Sequence, residues 1–334
     1  MPKTTVTTEL RAGVAGAGVF GAYHAQKYAD AAGARLVATY DPDVARARAL
    51  ADQYGATAYE DYDAFLSAAD VVAIAAPATL HASLGRAALA AGRHVYMEKP
   101  LALDVRDAAA LVDMAARQDL VLHVGHQERR VLHTWGLADP GDPPKHLEFV
   151  RVGPASGRGE DVSATFDLMI HDLDMAASFG FGAPIRVDAA GCAHEVVAAV
   201  EFEGGRSASF VTSRRAPERR REAVFTYGDG EIRIDFASRG AASTRNAAGN
   251  VCGSFAPAPT DPLGDNVVDF INAVRGAPNH GVEGRAAVQA VAIAEAIERA
   301  RLERRARLDY AGAVLAANAN GVDRGLRHSV RGAA

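Results

Sequence analysis

The sequence has little cysteine, no long hydrophobic run and no surplus of positive charge. Two cysteines, Cys192 and Cys252, lie far apart among 334 residues. They make no CxxC, no zinc-ligand spacing and no disulfide framework, so a reducing, cytoplasmic setting without a metal is expected. A formal net charge of -5 excludes a general nucleic-acid binder, which would carry a basic balance or stripe. The longest apolar run, Val71–Ala78, is too short to cross a bilayer and reads as a buried strand, so no membrane partner is expected. The opening residues have no apolar core and no twin arginine, so no secretory signal is expected. With 49% hydrophobic and 23% charged residues the composition is that of a soluble globular protein. At roughly 150 residues per domain the length suggests two domains.

The first 125 residues alternate short β-like runs with Ala-rich helical stretches. Arg11–Ala15, Leu36–Tyr40, Val71–Ala76, His94–Met97 and Leu120–Val124 read as strands, several nearly all apolar, as when helices cover both faces of a sheet. Helices are expected near Phe20, from Pro42, near Thr79 and after Asp104. Repeated β-α-β implies a doubly wound parallel sheet. The pattern changes after about residue 125. Asp139–Pro144 is loop-like, and a helix is expected over Phe166–Phe179. Ile185–Ala189, Glu195–Phe202, Ser207–Thr212, Glu222–Thr226 and Glu231–Phe236 then read as an antiparallel meander. Its hairpin turns fall at 203–205 and 228–230. A last helix is expected over Glu283–Arg307, with Glu295/Arg299 and Glu303/Arg307 as surface pairs. The expected organisation is a dinucleotide-binding domain over 1–125 and an α+β domain over 126–310. The last helix would pack back on the first domain, and a poorly ordered tail would follow over 311–334.

Gly16-Ala17-Gly18-Val19-Phe20-Gly21 is a GxGxxG between the first strand and the first helix. The glycines allow a tight turn, close approach of a pyrophosphate, and helix–strand packing. Asp41 ends the second strand, where an acid binds a ribose 2′-hydroxyl and repels a 2′-phosphate, so NAD is favoured over NADP. Asp41 could equally cap the following helix. Glu98-Lys99-Pro100 follows the fifth strand, at the sheet edge that borders the ligand crevice. Lys99 there could reach a substrate hydroxyl, or could be a surface lysine before a proline. Asp167 and His171 stand four apart and would share a helix face, the carboxylate fixing the imidazole for proton removal from a carbinol. The plainer reading is a satisfied core histidine.

GVAGAGVFG, Asp41, EKP at 98–100 and DxxxH at 167–171, in this order and spacing, resemble the Gfo/Idh/MocA oxidoreductases over nearly the whole chain. The resemblance implies a Rossmann domain followed by an α+β domain with an open, mostly antiparallel sheet that mediates homo-oligomer contacts. It implies NAD(P)-linked redox chemistry on a sugar, cyclitol or sugar nucleotide. It makes Lys99, Asp167 and His171 catalytic, with His171 the base and Lys99 either orienting the hydroxyl or acting as base itself. It places Glu98 by the nicotinamide ribose, makes the Lys99–Pro100 bond cis, and sets Pro77 and His81 near the cofactor. Gly125-His126-Gln127-Glu128-Arg129 together with DLMIHDLD at 167–174 is similar to the branch containing UDP-N-acetylglucosamine 3-dehydrogenases, which makes His126 and Arg129 candidate substrate contacts. That branch continues with Phe-Asn-Pro, where this chain has Arg130-Val131-Leu132.

Arg214, Arg215, Arg219, Arg220 and Arg221 form a dense cluster. It is either a solvated hairpin or, through Arg219, a clamp for a diphosphate or other anionic group. The expected function is therefore an NAD-dependent oxidoreductase acting on a ring carbinol of a sugar or sugar nucleotide. A cyclitol or free-sugar dehydrogenase is the alternative within the chemistry. A sensor without turnover is the alternative outside it, but such a protein would be expected to lose the lysine or the Asp/His pair, and this chain keeps all three.

Overall fold

The computed structural model describes residues 9–137, 143–157, 159–238, 241–255 and 261–329. The chain opens with β1 (Leu10–Ala15), α1 (Val19–Asp30), β2 (Ala34–Tyr40), α2 (Val44–Tyr54), β3 (Thr57–Tyr59) and α3 (Tyr62–Ala68). It continues with β4 (Val71–Ile74), α4 (His81–Ala90), β5 (His94–Met97), α5 (Val105–Arg117) and β6 (Leu122–Val124). The strands lie in the order β6-β5-β4-β1-β2-β3, all parallel. The order reverses between β1 and β4, so a crevice opens at their carboxyl ends, where Gly16 and Ala75 stand. All four residues of β4 are buried, as helices on both faces require. The helix expected from Pro42 starts at Val44 instead. Asp43 caps it by accepting from the amides of Ala45 and Arg46.

The second half contains α6 (Gln127–Thr134), β7 (His146–Val152), α7 (Ile170–Ser178), β8 (Pro184–Cys192), β9 (Glu195–Phe202) and β10 (Ser207–Ser213). It also contains β11 (Arg220–Thr226), β12 (Gly230–Asp235), β13 (Ala241–Asn246) and β14 (Val251–Ser254). The sheet order is β14-β13-β12-β11-β7-β10-β9-β8. This corrects the expected meander: β7 inserts between β10 and β11 and runs parallel to β10. Both expected hairpins are present, linking β9 to β10 and β11 to β12. Most of the loop-like segment 139–144 lies outside the described residues.

The chain then returns to the first sheet. After α8 (Pro262–Val274), the two-residue β15 (Val282–Glu283) pairs antiparallel with β6. The last helix, α9 (Gly284–Ser329), runs beyond the expected Arg307. Its first half carries Ala287, Ala290, Val291, Ile293, Ala294 and Ile297, all fully buried in one apolar cluster. That cluster joins Ile74 and Met97 of the first sheet to Phe149, Phe210 and Phe225 of the second. Glu295 does not pair with Arg299 as expected. Its carboxylate accepts from the amide of Val105 at the start of α5, tying α9 to the first half. Glu303 and Arg307 approach to 3.9 Å at the surface.

Phe225 is the ring at the centre of this inner face, 5.1 Å edge-on from Phe179 and 6.0 Å from Phe149. Its replacement in Phe225→Ala removes a fully buried ring and should cost about 3–5 kcal/mol of stability, read as a lowered urea midpoint. A midpoint within error of the parent would contradict this description of the core.

Candidate active site

The glycine loop connects β1 to α1 at the crevice. Gly16 has φ +98°, and a Cβ there would lie 2.7 Å from the carbonyl oxygen of Ala75. At Gly21 a Cβ would lie 1.7 Å from the carbonyl oxygen of Gly16. Both positions therefore exclude any side chain. Around Gly18 a Cβ would meet nothing within 4 Å, and no side chain caps α1. The first amides of α1 thus face open space, which fits a dinucleotide pyrophosphate. Asp41 accepts from the amide of Ala17 (2.8 Å) and from that of Asp43 (2.9 Å). It therefore ties the glycine loop to the α2 entry. Val19 and Phe20 are exposed beside the loop.

Glu98 and Lys99 leave β5 at the same edge, and the Lys99–Pro100 peptide is cis. Glu98 is buried, with Oε1 2.7 Å from His24 Nε2 of α1. Burial alone would push its carboxyl up, but the His24 hydrogen bond and the charges of His24, Lys99 and His81 hold it below its ordinary value. His24 is fully buried and was not singled out from sequence; only its contact with Glu98 identifies it. His81 is buried too. Its Nδ1 lies 2.6 Å from the Pro100 carbonyl and its Nε2 3.0 Å from that of Ala76. It braces the Lys99–Pro100 turn against the loop carrying exposed Pro77, rather than presenting a ring nitrogen to the crevice.

Asp167 sits in a π-helical turn, Thr165–Met169, that leads into α7. Bonds from i to i+5 no longer stack residues four apart, so Asp167 and His171 do not pair as expected. Lys99 Nζ instead donates to the Asp167 backbone carbonyl (2.7 Å) and to its Oδ1 (3.1 Å). Asp167 Oδ2 lies 3.3 Å from Arg214 Nη2. Gly159 leaves room for this carboxylate, since a Cβ there would come within 2.5 Å of Oδ2. From behind, Thr165 donates to Glu298 of α9 (2.6 Å), which also pairs with Arg301.

The carboxylate beside His171 is Glu128 of α6, with 2.7 Å between His171 Nδ1 and Glu128 Oε2. The approach is too bent for an aligned hydrogen bond. Glu128 Oε1 accepts from Arg151 Nη1 at 2.9 Å, and Arg151 donates to both oxygens of Asp172 at 2.7–3.1 Å. Burial opposes the charge of Glu128, but His171 and Arg151 together hold it well below the ordinary carboxylate range. The His126 ring lies 6.3 Å from that of His171 and makes no hydrogen bond among the described residues. Burial pushes His126 down to about 4, so it is neutral at ordinary pH. Arg129, a candidate substrate contact from its sequence position, is paired with Asp174. Its Nε donates to Oδ2 at 2.9 Å, and its Nη2 donates to Oδ1.

The arginines divide. Arg220 pairs with Glu222 at the surface, as a solvated hairpin predicts. Arg215 and Arg219 are exposed. Arg214 is buried, and its Nε and Nη1 make no hydrogen bond among the described residues. Arg221 stands opposite Arg151 across β11 and β7. Burial and the neighbouring charge of Arg151 lower its pKa, with Glu128 opposing. No group of His, Cys, Asp and Glu among the described residues could hold a metal ion. No described helix is long and apolar enough to cross a membrane.

The family model for the oxidoreductase family with an NAD-binding Rossmann fold, GFO_IDH_MocA, matches residues 10–126. The chain is 32% identical over 279 residues to a UDP-N-acetylglucosamine 3-dehydrogenase of Acidithiobacillus ferrooxidans, covering 79% of this chain and 88% of the relative. A crystal form of that organism's UDP-N-acetylglucosamine 3-dehydrogenase superposes with a TM-score of 0.81 at 30% identity, covering 87% of this chain and 97% of the other. An inositol 2-dehydrogenase of Rhizobium meliloti is 27% identical over 344 residues, covering 89% of this chain and 98% of the relative. Carrying the glycine loop, the EKP turn and the DxxxH helix on this fold, the chain belongs to the Gfo/Idh/MocA family of NAD-binding oxidoreductases.

Proposed function

We propose that the enzyme moves a hydride between NAD and a ring carbinol of a sugar or sugar nucleotide, with UDP-N-acetylhexosamines the leading candidates. One observation carries the reading. Two groups able to manage a hydroxyl proton, Lys99 and His171, come from different elements, and each is tethered to its own carboxylate. The relative that acts on UDP-N-acetylglucosamine supports the sugar-nucleotide side. Buried Arg214 and half-buried Arg221 support a substrate with an anionic or strongly accepting group, since arginine forks match such oxygens.

Gly16, Gly18, Gly21 and the amides of Val19 and Phe20 would hold the pyrophosphate, Asp41 the adenosine ribose and Glu98 the nicotinamide ribose. A bound nicotinamide supplies the acceptor for hydride, or the donor in the reverse direction. His171 Nδ1 faces Glu128, which leaves Nε2 to take the hydroxyl proton as the carbon is oxidised. Lys99, held by Asp167 through two hydrogen bonds, orients the hydroxyl and stabilises negative charge developing on its oxygen. The proton then passes to solvent from His171.

The test is NADH absorbance with NAD and UDP-N-acetylglucosamine, its uronic acid, myo-inositol or glucose. A UDP-sugar should give NADH, and Lys99→Ala and His171→Ala should each lower kcat by about 10²–10⁴. Reaction with myo-inositol alone would move the substrate to the cyclitols, and unimpaired variants would sink the assignment of these residues. For the cofactor, Asp41→Ser should narrow the NAD-over-NADP preference in kcat/KM by about tenfold, or roughly 1.4 kcal/mol. An unchanged ratio would count against Asp41 as the discriminating group.

We also propose a homo-oligomer formed through the outward face of the second sheet. Val197 of β9 and Val211 of β10 are adjacent in register and 55% and 39% exposed. Val150 of β7 lies beside Val211. Contiguous apolar side chains on an open sheet face suit burial against a second copy. Val197→Arg with Val211→Arg should lower the mass measured by light scattering to that of a monomer. A mass unchanged from the parent would exclude this face.

A further inference from the structure

We propose that Glu128 is the positioning residue for His171, locked by Arg151, while Asp167 serves Lys99 and Arg214. The inference rests on His171 acting as the base. Three contacts carry it. Asp167 is spent, its carbonyl and Oδ1 on Lys99 and its Oδ2 against Arg214. Glu128 Oε2 is the carboxylate oxygen at His171 Nδ1. Glu128 Oε1 is fixed by Arg151, whose other edge is gripped by buried Asp172.

This arrangement has a chemical consequence. An imidazole can offer a lone pair at Nε2 only if its proton sits on Nδ1. A carboxylate at Nδ1 selects that tautomer and stabilises the imidazolium formed when Nε2 takes a proton. Arg151 prevents Glu128 from turning away and keeps it ionised, so the acceptor persists across working pH. The bent contact is expected to straighten when substrate seats the ring. The other charged and titratable groups facing this imidazole are few. His126 comes from the loop before α6, Arg221 from β11 through Glu128, and Asp172 from α7 itself. His126 is neutral. Asp172 is bound to Arg151, so Glu128 is the charge placed to act on Nδ1.

The sequence agrees in one respect. Glu128-Arg129 and the run from Asp167 to Asp174 interlock at two points, Glu128 with His171 and Arg129 with Asp174. The second contact is a strut that sets the α6–α7 spacing on which the first depends.

The experiment compares Glu128→Gln, Glu128→Asp, Asp167→Asn and His171→Ala in the full-length enzyme with NAD and whichever panel sugar it turns over. The expected result for Glu128→Gln is a kcat lowered roughly 10- to 100-fold, within the span of general-base effects, with KM changed by less than about threefold. The acid limb of its kcat/KM profile should move to lower pH by about one unit, because the imidazolium has lost its counter-charge. Glu128→Asp should recover part of kcat and return the limb toward its parent position. Asp167→Asn should lower kcat without moving that limb. NAD binding and melting temperature of each variant identify any that is merely misfolded, and Glu128→Asp keeps the charge if Glu128→Gln does not fold. A Glu128→Gln limb coincident with the parent, while His171→Ala is inactive, would overturn this inference and leave the proposed function standing. An active His171→Ala would overturn both.

Discussion

Charge buried at the junction of two sheets must be paired, and this requirement organises the molecule. The site brings Lys99, Arg151 and Arg214 together with Glu98, Glu128, Asp167 and Asp172 in a region that is largely buried. Removing one partner from such a pair leaves a desolvated charge and costs several kcal/mol, about 3–5 in measured cases. No single element supplies both partners of the central pairs. Lys99 comes from the turn after β5 and Asp167 from the turn before α7. Glu128 comes from α6 and Arg151 from β7. The two halves of the chain therefore cannot separate without stranding charge. The apolar contacts of α9 with both sheets point the same way.

The same pairing separates two roles that a shared carboxylate would blur. A lysine that orients a hydroxyl should stay cationic, so a carboxylate beside it helps. A histidine that takes a proton needs a carboxylate on its far nitrogen, away from the reacting oxygen. One acid placed between them would be neutralised by the lysine and lost to the imidazole. The π turn resolves this by rotating Asp167 toward Lys99 and Arg214 and leaving Nδ1 to Glu128. Its extra residue is held from outside, by Thr165 on Glu298 and by the Asp167 carbonyl on Lys99.

Much of this was legible in the amino-acid order and some was not. The nucleotide-binding half was readable because its signals are local: a glycine loop after an apolar strand, an acid after the next strand, and a helix capped by Asp104. The second sheet was half readable. Its hairpins announce themselves at Gly204-Gly205 and Gly228-Asp229-Gly230, but the insertion of β7 between β10 and β11 is a long-range pairing with no local mark. Asp167 and His171 were identifiable as residues, yet their partnership was misread. Spacing of four implies one face only on an α-helix, and a π turn carries no composition signature. The pairing of Arg129 with Asp174 was not read, because the two lie in different motifs. His24 was invisible because a lone histidine on a helix gives no sign of a distant glutamate.

Arg214 and Arg221 show where pairing stops. Asp167 meets one nitrogen of Arg214, and the Val162 carbonyl accepts from the same nitrogen. Its Nε and Nη1 stay buried without a protein acceptor among the described residues. Leaving buried donors unmet costs about 1–3 kcal/mol each, so a fold would retain them chiefly where something other than protein meets them. Arg221 adds a half-buried cation opposite Arg151, and like charges on facing strands disfavour each other. The unmet donors of Arg214 and the Arg151–Arg221 juxtaposition are therefore the places where this charge network stays incomplete among the described residues.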